Sequence, residues 1–392
     1  MIKQTLSAIL FIVTSINYST AQTEKKDTSA YIFTTVKEAK TSSIQDQQNA
    51  GTCWSYCSTG MIESEMLRMG KKYINLSEMF IVRHSYEQKA INYVRMHGKT
   101  SFSAGGELND AFNVYKKYGM VPEKVYAGLN YGTKEHNHSE LDEVLKQYLN
   151  GVIKNKNKKL STAWFNGYKS ILDAYLGKLP KTFKWEGKKY TPITFANKFI
   201  GINPDDYYFF TSFNHHPFYS SFVLEIPDNW TWSSYYNIPI DNMMEIINNS
   251  INKGYSVVWA SDVSEPGFKP RDGIAIITKE DFIENENSKN KSDSTLKQLL
   301  PKNSITQEIR QKAFDNYQTT DDHGMLITGI AKDQNNNKFF HVKNSWGTDY
   351  NDYEGYIYVS ETFLKYKTIS CGVHKDVIPK NIQKRLNINL NK

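Results

Sequence analysis

The 392-residue chain holds only three cysteines, Cys53, Cys57 and Cys371. At most one disulfide can form, which excludes a small fold held together by a disulfide framework. Beyond a short apolar stretch at the start, nothing approaches the ~20 apolar residues that a membrane-spanning helix needs. No internal repeat is present, so repeat arrays are excluded. Strong charge of one sign is also missing. Lys and Arg number 48 against 41 Asp and Glu, and the net charge of +7 is mild for this length. It gives no reason to expect a nucleic-acid partner. The basic run Lys154 to Lys159 reads as a solvated connector. His136 with His138 and His215 with His216 have no carboxylate or cysteine at a known ligand spacing, so they read as loop residues. Neither metal nor organic cofactor is expected. What remains is a globular composition, 39% hydrophobic and 14% aromatic.

The N-terminus has the three parts of a signal peptide. Lys3 is the charged start, Leu6 to Ile16 the apolar stretch, and Ser19-Thr20-Ala21 the small-residue cleavage site, with Gln22 as the mature start. The expectation is export, to the periplasm or beyond, after cleavage near Ala21.

The most informative stretch is Gln47-Gln48-Asn49-Ala50-Gly51-Thr52-Cys53-Trp54. A helical pattern follows, from Ser58 to Arg68, and ends at Gly70. Cys53 is thus expected at the first turn of a helix, where free N–H groups and the helix dipole favour a thiolate. Gly51 permits a tight approach, and Gln47 offers a neutral side-chain donor. A nucleophile needs a base, and the base an orienter. Far downstream, Asp322-His323-Gly324 leads into an apolar strand. Lys343-Asn344-Ser345-Trp346-Gly347 then closes another strand.

The chain order Cys, His, Asn is that of papain-type enzymes. On these three motifs the chain resembles papain-like cysteine peptidases, and among them the bleomycin hydrolase and aminopeptidase C branch. The resemblance covers most of the chain after the first forty residues. Ala50 stands where the usual papain pattern has a second cysteine. His323 follows Cys53 by far more than the ~130–150 residues of that pattern, so a large insertion must lie between. The resemblance implies a papain-like α+β fold with two lobes, a helical lobe carrying Cys53 and an antiparallel β lobe carrying His323 and Asn344. It implies Cys53, His323, Asn344 and the oxyanion residue Gln47 as catalytic, with Trp346 shielding the imidazole. Gly105, Gly106 and Asp322 are the implied substrate-binding positions. Gly-Gly before a helix lets an extended peptide approach the backbone.

The organisation expected is a signal peptide at 1–21, the helical lobe at 22–130 beginning with a polar mobile arm at 22–40, an insertion at 131–235, the β-rich lobe at 236–375 and a tail at 376–392. Ser77 should cap a helix running to Met96, with His84 and His97 on its surface. Leu108 to Tyr118, Ser139 to Val152, Ser161 to Leu176, Pro239 to Ile251 and Thr306 to Phe314 read as further helices. Strands are expected within 211–226, 230–237 and 255–260, and at 325–331, 339–344 and 355–359. Residues 283–304 read as an exposed loop. A Cys57–Cys371 bridge stays open.

The implied chemistry is peptide hydrolysis through a thiolate–imidazolium pair of Cys53 and His323. Aminopeptidase or bleomycin hydrolase-like action is the first reading, and a papain-like endopeptidase or an inactive peptide-binding homologue the alternatives. A transglutaminase-type enzyme fits less well, because that class orients its histidine with aspartate. The branch also implies peptide substrates, a hexameric ring, and a C-terminal tail in the cleft that selects free amines. Leu386, Ile388 and Leu390 alternate with asparagines, as a strand added along that groove would.

Overall fold

The computed structural model describes residues 31–280, 282 and 298–388. The expected signal peptide, its cleavage site and most of the 283–304 loop lie outside these residues. In chain order the elements are β1 (Thr34–Glu38), α1 (Cys53–Arg68), α2 (Glu78–Arg95), α3 (Leu108–Tyr118), α4 (Ser139–Ile153), α5 (Ala163–Leu176), β2 (Phe183–Trp185), β3 (Lys188–Tyr190), α6 (Pro192–Phe195), β4 (Tyr207–Thr211), β5 (Ser220–Val223), β6 (Ser234–Asn237) and α7 (Ile240–Asn252). They continue with β7 (Val257–Ser261), β8 (Phe268–Lys269), β9 (Ile274–Ala275), α8 (Gln307–Asp315), β10 (His323–Lys332), β11 (Lys338–Lys343), β12 (Tyr356–Ser360), α9 (Glu361–Lys367), β13 (Thr368–His374) and α10 (Lys380–Arg385).

The helix boundaries follow from capping chemistry. The Ser77 hydroxyl accepts from the Phe80 N–H at 3.0 Å and starts α2, and Thr306 does the same for Ile309 at the head of α8. Such a cap satisfies a backbone donor that the helix cannot. Gly119 ends α3 at φ 82°, a conformation costly for any residue with a Cβ.

One large mixed sheet runs β5-β6-β4-β13-β7-β10-β11-β12-β9-β8, with β1 added to β10. β10 is its hub. It pairs antiparallel with β7 from His323 to Ile327, with β11 along its other edge, and with β1 beyond Gly329. Side-chain alternation sends successive residues to opposite faces. Val258, Ala260 and Leu326 join the core under the helical lobe, while Val257, Trp259, Met325 and Ile327 face α7 on the other side. The architecture is thus α+β, with α1 to α5 stacked on one face of the sheet.

Three expectations change, and one open question, the Cys57–Cys371 bridge, closes. Residues 34–38, expected in a mobile arm, form β1 against β10. His84 is buried rather than on the surface. It stacks on Tyr118 at 4.0 Å, and burial lowers its pKa to about 3. Cys57 and Cys371 are free thiols; Cys57 lies in the core under the helices and Cys371 in the core on the far face of the sheet. The C-terminal tail does not run as a strand through residue 388. It forms α10, and Leu386 and Ile388 pack into the core on the face opposite α1. Their apolar surface finds a partner there, which decides the path.

Candidate active site

α1 begins at Cys53, with Thr52 at its N-cap. Trp54 is buried and its indole N–H donates to the Ala104 carbonyl at 3.0 Å. That bond fixes the helix start against the segment carrying Gly105 and Gly106. β10 meets α1 from the other side. A Cβ on Gly324 would lie 2.9 Å from the Cys57 sulfur, so only glycine permits this contact. The Gly324 N–H donates to the Cys53 sulfur at 3.4 Å. His323 and Cys53 therefore line one cavity of about 160 Å³, together with Gln47, Gly105, Gly106, Asp322 and Trp346. All eight expected site residues except Asn344 border this space; Asn344 stands behind the imidazole.

His323 Nε2 and Asn344 Oδ1 are 2.7 Å apart. The same oxygen accepts from the Ser345 N–H at 2.8 Å. An oxygen only accepts, so Nε2 carries the proton and Nδ1 keeps the lone pair. Trp346 stacks on the ring at a centroid distance of 4.7 Å and keeps water from that bond. Gln47 is buried beside them. Its Oε1 accepts from the Ser345 hydroxyl at 2.7 Å, and its own N–H donates to the Ser345 carbonyl at 2.8 Å. With Oε1 occupied, the amide N–H₂ is the end left for the cavity.

The electrostatics differ from the expectation. Burial pushes the Cys53 thiol up to about 12, with the charges of Asp321 and Asp228 adding and the Gly324 and Trp54 N–H groups opposing. Burial lowers His323 to about 4, against the Asn344 bond and the Asp322 charge. Both shifts run against charge separation, so burial opposes the expected thiolate–imidazolium pair. The helix start favours the anion, but desolvation by the closed cleft outweighs it.

Asp322 borders the cavity, yet its carboxylate is committed elsewhere. It accepts from the Ser264 hydroxyl at 2.6 Å, the Thr320 hydroxyl at 2.8 Å and the N–H groups of Val263 and Ser264. Its acidity rises because these donors outweigh its burial. Gly105 and Gly106 are demanded by packing. A Cβ on Gly105 would lie 1.9 Å from an Asp228 oxygen, and one on Gly106 2.9 Å from the Trp54 ring.

Other residues at the site carried weaker signals. Ser345 holds both Gln47 and Asn344, although its place inside Asn-Ser-Trp-Gly suggested only a turn. Glu107 and Asp321 border the cavity beside Gly106 and Asp322, adjacencies that the motifs themselves could have flagged. Asp228 belongs to the inserted region, where no sequence signal marks it. Among the described residues one group gathers metal-ligand atoms within 4.8 Å, namely His215, His216 and Glu225. Gln311 donates to His215 Nδ1 at 2.9 Å, which leaves the proton on Nε2 toward Glu225 and removes the lone pair a metal would take.

Comparison with known proteins agrees with this architecture. Aminopeptidase C of Lactobacillus delbrueckii subsp. lactis is 22% identical, over 88% of this chain and 82% of its own. Aminopeptidase G of the same organism is also 22% identical, over 91% and 85%. The mitochondrial cysteine proteinase 1 of Saccharomyces cerevisiae (strain JAY291) is 20% identical, over 86% and 75%. The crystal structure of PepW from Lactobacillus rhamnosis HN001 shares the fold at a TM-score of 0.69 and 19% identity, covering 90% of this chain and 84% of that one. The family model described as the Peptidase C1-like family matches residues 5–391, nearly the whole chain, and the chain therefore belongs to the Peptidase C1-like family.

Proposed function

We propose that the protein is a cysteine-type aminopeptidase whose nucleophile, base and orienter are Cys53, His323 and Asn344. The observation that carries this reading is the His323–Asn344 bond of 2.7 Å in a cavity shared with Cys53. It leaves Nδ1 unprotonated on a ring that Trp346 holds in place. Such a base, fixed by a third group, is the general arrangement of nucleophilic catalysis.

The reaction starts from a neutral thiol and imidazole. Cys53 sulfur attacks the peptide carbonyl carbon as its proton passes to His323 Nδ1. The carbonyl oxygen gains the charge, and the Gln47 amide and the Cys53 N–H receive it, at ~3 kcal/mol per donor. The C–N bond then breaks. His323 returns its proton to the leaving amine, and a thioester remains on Cys53. His323 next takes a proton from water, whose oxygen attacks the thioester carbon. The carboxylic acid departs, and the proton returns to the sulfur.

The names of the matched relatives support an aminopeptidase over an endopeptidase. The test is hydrolysis of aminoacyl coumarylamides by the wild type and by Cys53→Ala, with epoxide labelling read by mass spectrometry. Activity that disappears in the variant and a label confined to Cys53 are expected. Full activity in Cys53→Ala would refute the reading. We also infer export, from the sequence at 1–21; an exported form retaining Met1 would contradict it.

A further inference from the structure

The cavity beside Cys53 has a one-sided charge. Among its lining residues are four carboxyl groups, Glu107, Asp228, Asp321 and Asp322, and no Lys or Arg. Asp322 is spent on the 263–264 backbone and two hydroxyls, as described above. Three remain. Glu107 is buried at the start of α3 and its Oε2 accepts from the Tyr235 hydroxyl at 2.7 Å. Asp321 is hydrogen-bonded to it side chain to side chain. Burial, and then the charge of Asp321, push Glu107 well above the usual carboxylate range, while burial pushes Asp321 up to about 7. Asp228 rests on Gly105, with the Ser103 hydroxyl 3.4 Å from its Oδ1.

Lys89 answers part of this charge, since Asp228 and, more weakly, Glu107 are among the carboxylates that stabilise its ammonium. Lys89 is buried, and its ammonium donates to the Ser103 carbonyl at 2.9 Å and to the Gly105 carbonyl. It holds the 103–105 segment through these two carbonyls. No basic side chain lines the cavity beside Asp321, so a cation arriving there is favoured.

We propose that Asp321 and Asp228, backed by Glu107, receive the free α-ammonium group of the substrate's first residue. This rests on the peptidase reading above, which places a peptide in the cleft on separate grounds: Cys53, His323, Asn344 and Gln47. The distances agree. In any amino acid the α-nitrogen lies ~2.5 Å from its own carbonyl carbon. A carbonyl at the Cys53 sulfur therefore carries its amine into this same cavity, where the carboxylates are. Sterics point the same way. An endopeptidase must let the chain continue past this point along the Gly105 backbone. Here the Asp228 carboxylate already covers that edge, in the very place where a Gly105 side chain would stand. The wall thus accepts a charge and stops a chain.

The test uses the full protein and three substrates: leucyl coumarylamide, its N-acetyl form, and an N-acetyl dipeptide amide with arginine second from the cleaved bond. The wild type is expected to favour the free amine at least 50-fold in kcat/KM. Asp321→Asn and Asp228→Asn are each expected to lower that ratio at least fivefold, mainly by raising KM for the free amine. A ratio unchanged in both variants overturns the proposal, as does a wild type that cleaves the acetylated form equally well. Preference for the arginine substrate also overturns it, since the wall would then take a side-chain cation. Should the wild type cleave none of them while Cys53 resists epoxide, the peptidase reading itself fails, and the proposal with it. As a check on folding, leucinamide should bind Cys53→Ala in calorimetry and bind the Cys53→Ala, Asp321→Asn protein at least fivefold more weakly, with unchanged circular dichroism.

Discussion

Ser345 and Gln47, 298 positions apart, are joined by two hydrogen bonds, one from the Ser345 hydroxyl to Gln47 Oε1 and one from the Gln47 N–H to the Ser345 carbonyl. This strap runs between the segment before α1 and the segment after β11, and isolated pairing of Asp46 with Trp346 extends it. It joins Gln47, the proposed oxyanion donor, to the neighbour of Asn344, whose Oδ1 the Ser345 N–H also holds. Removing the Ser345 hydroxyl leaves Gln47 free to rotate its amide. Ser345→Ala is expected to lower kcat roughly 10-fold with little change in KM, and Gln47→Ala by ~100-fold or more, as loss of an oxyanion donor does. Steady-state kinetics on an aminoacyl coumarylamide reads both. A Ser345→Ala effect confined to KM would remove the orienting role.

A neutral resting pair would have its own signature. A thiol pushed up to about 12 and an imidazole lowered to about 4 leave almost no thiolate at neutral pH. The rate of Cys53 alkylation by iodoacetamide should therefore rise ~10-fold per pH unit from 6 to 9, following the thiolate fraction. Asp321→Asn removes a like charge and should raise the rate at pH 8. A rate already level from pH 5 upward would show a standing ion pair instead.

How much of this was legible in the sequence depends on range. Cys53 at a helix start, His323 at a strand start and Asn344 at a strand end each follow from local patterns, and the structure places them so. Ser77, Thr306 and Gly119 marked helix ends by capping chemistry that involves only neighbours. The desolvation that opposes a Cys53 thiolate was not legible, because a helix terminus is local while burial depends on everything folded over it. His84 failed for the same reason: its helix has an apolar stripe, but Tyr118, which covers it, comes from another helix. β1 was missed because its five residues are exposed and lack alternation; its edge pairing with β10 decides it. Asp228 could not be found, since its position over Gly105 exists only once the inserted region packs against the 103–106 segment.

The acidic wall should also appear in stability. Asp321 has a folded pKa of about 7, raised chiefly by burial. A carboxyl raised in this way binds more protons folded than unfolded. Its contribution is therefore complete below the unfolded value of ~4 and is lost as pH rises toward 7. The midpoint of thermal unfolding should fall between pH 5 and 8, and Asp321→Asn should flatten that fall. The difference at pH 8 should be on the order of 1 kcal/mol, because the group is partly exposed and cleft water screens it. An equal slope in the wild type and the variant would assign the pH dependence elsewhere.

The path of the C-terminus separates two sources of amine selection. A tail lying in the cleft would supply a carboxylate there, and its deletion would admit blocked peptides. Among the described residues, which end at 388 and so leave out Leu390 and the terminal carboxylate, α10 buries Ile382, and Leu386 beyond it is 8% exposed against the core opposite α1. Arg385 lies over the Tyr219 ring at 3.5 Å and fixes the turn on that side. Deleting residues 386–392 should therefore act on stability. Losing one buried leucine and the partly buried Ile388 should cost roughly 2–4 kcal/mol, read as a lower denaturant midpoint. The preference for free over acetylated amines should survive, because Asp321 and Asp228 remain in place. A truncated protein that keeps its stability and begins to accept acetylated substrates would return the selection to the tail.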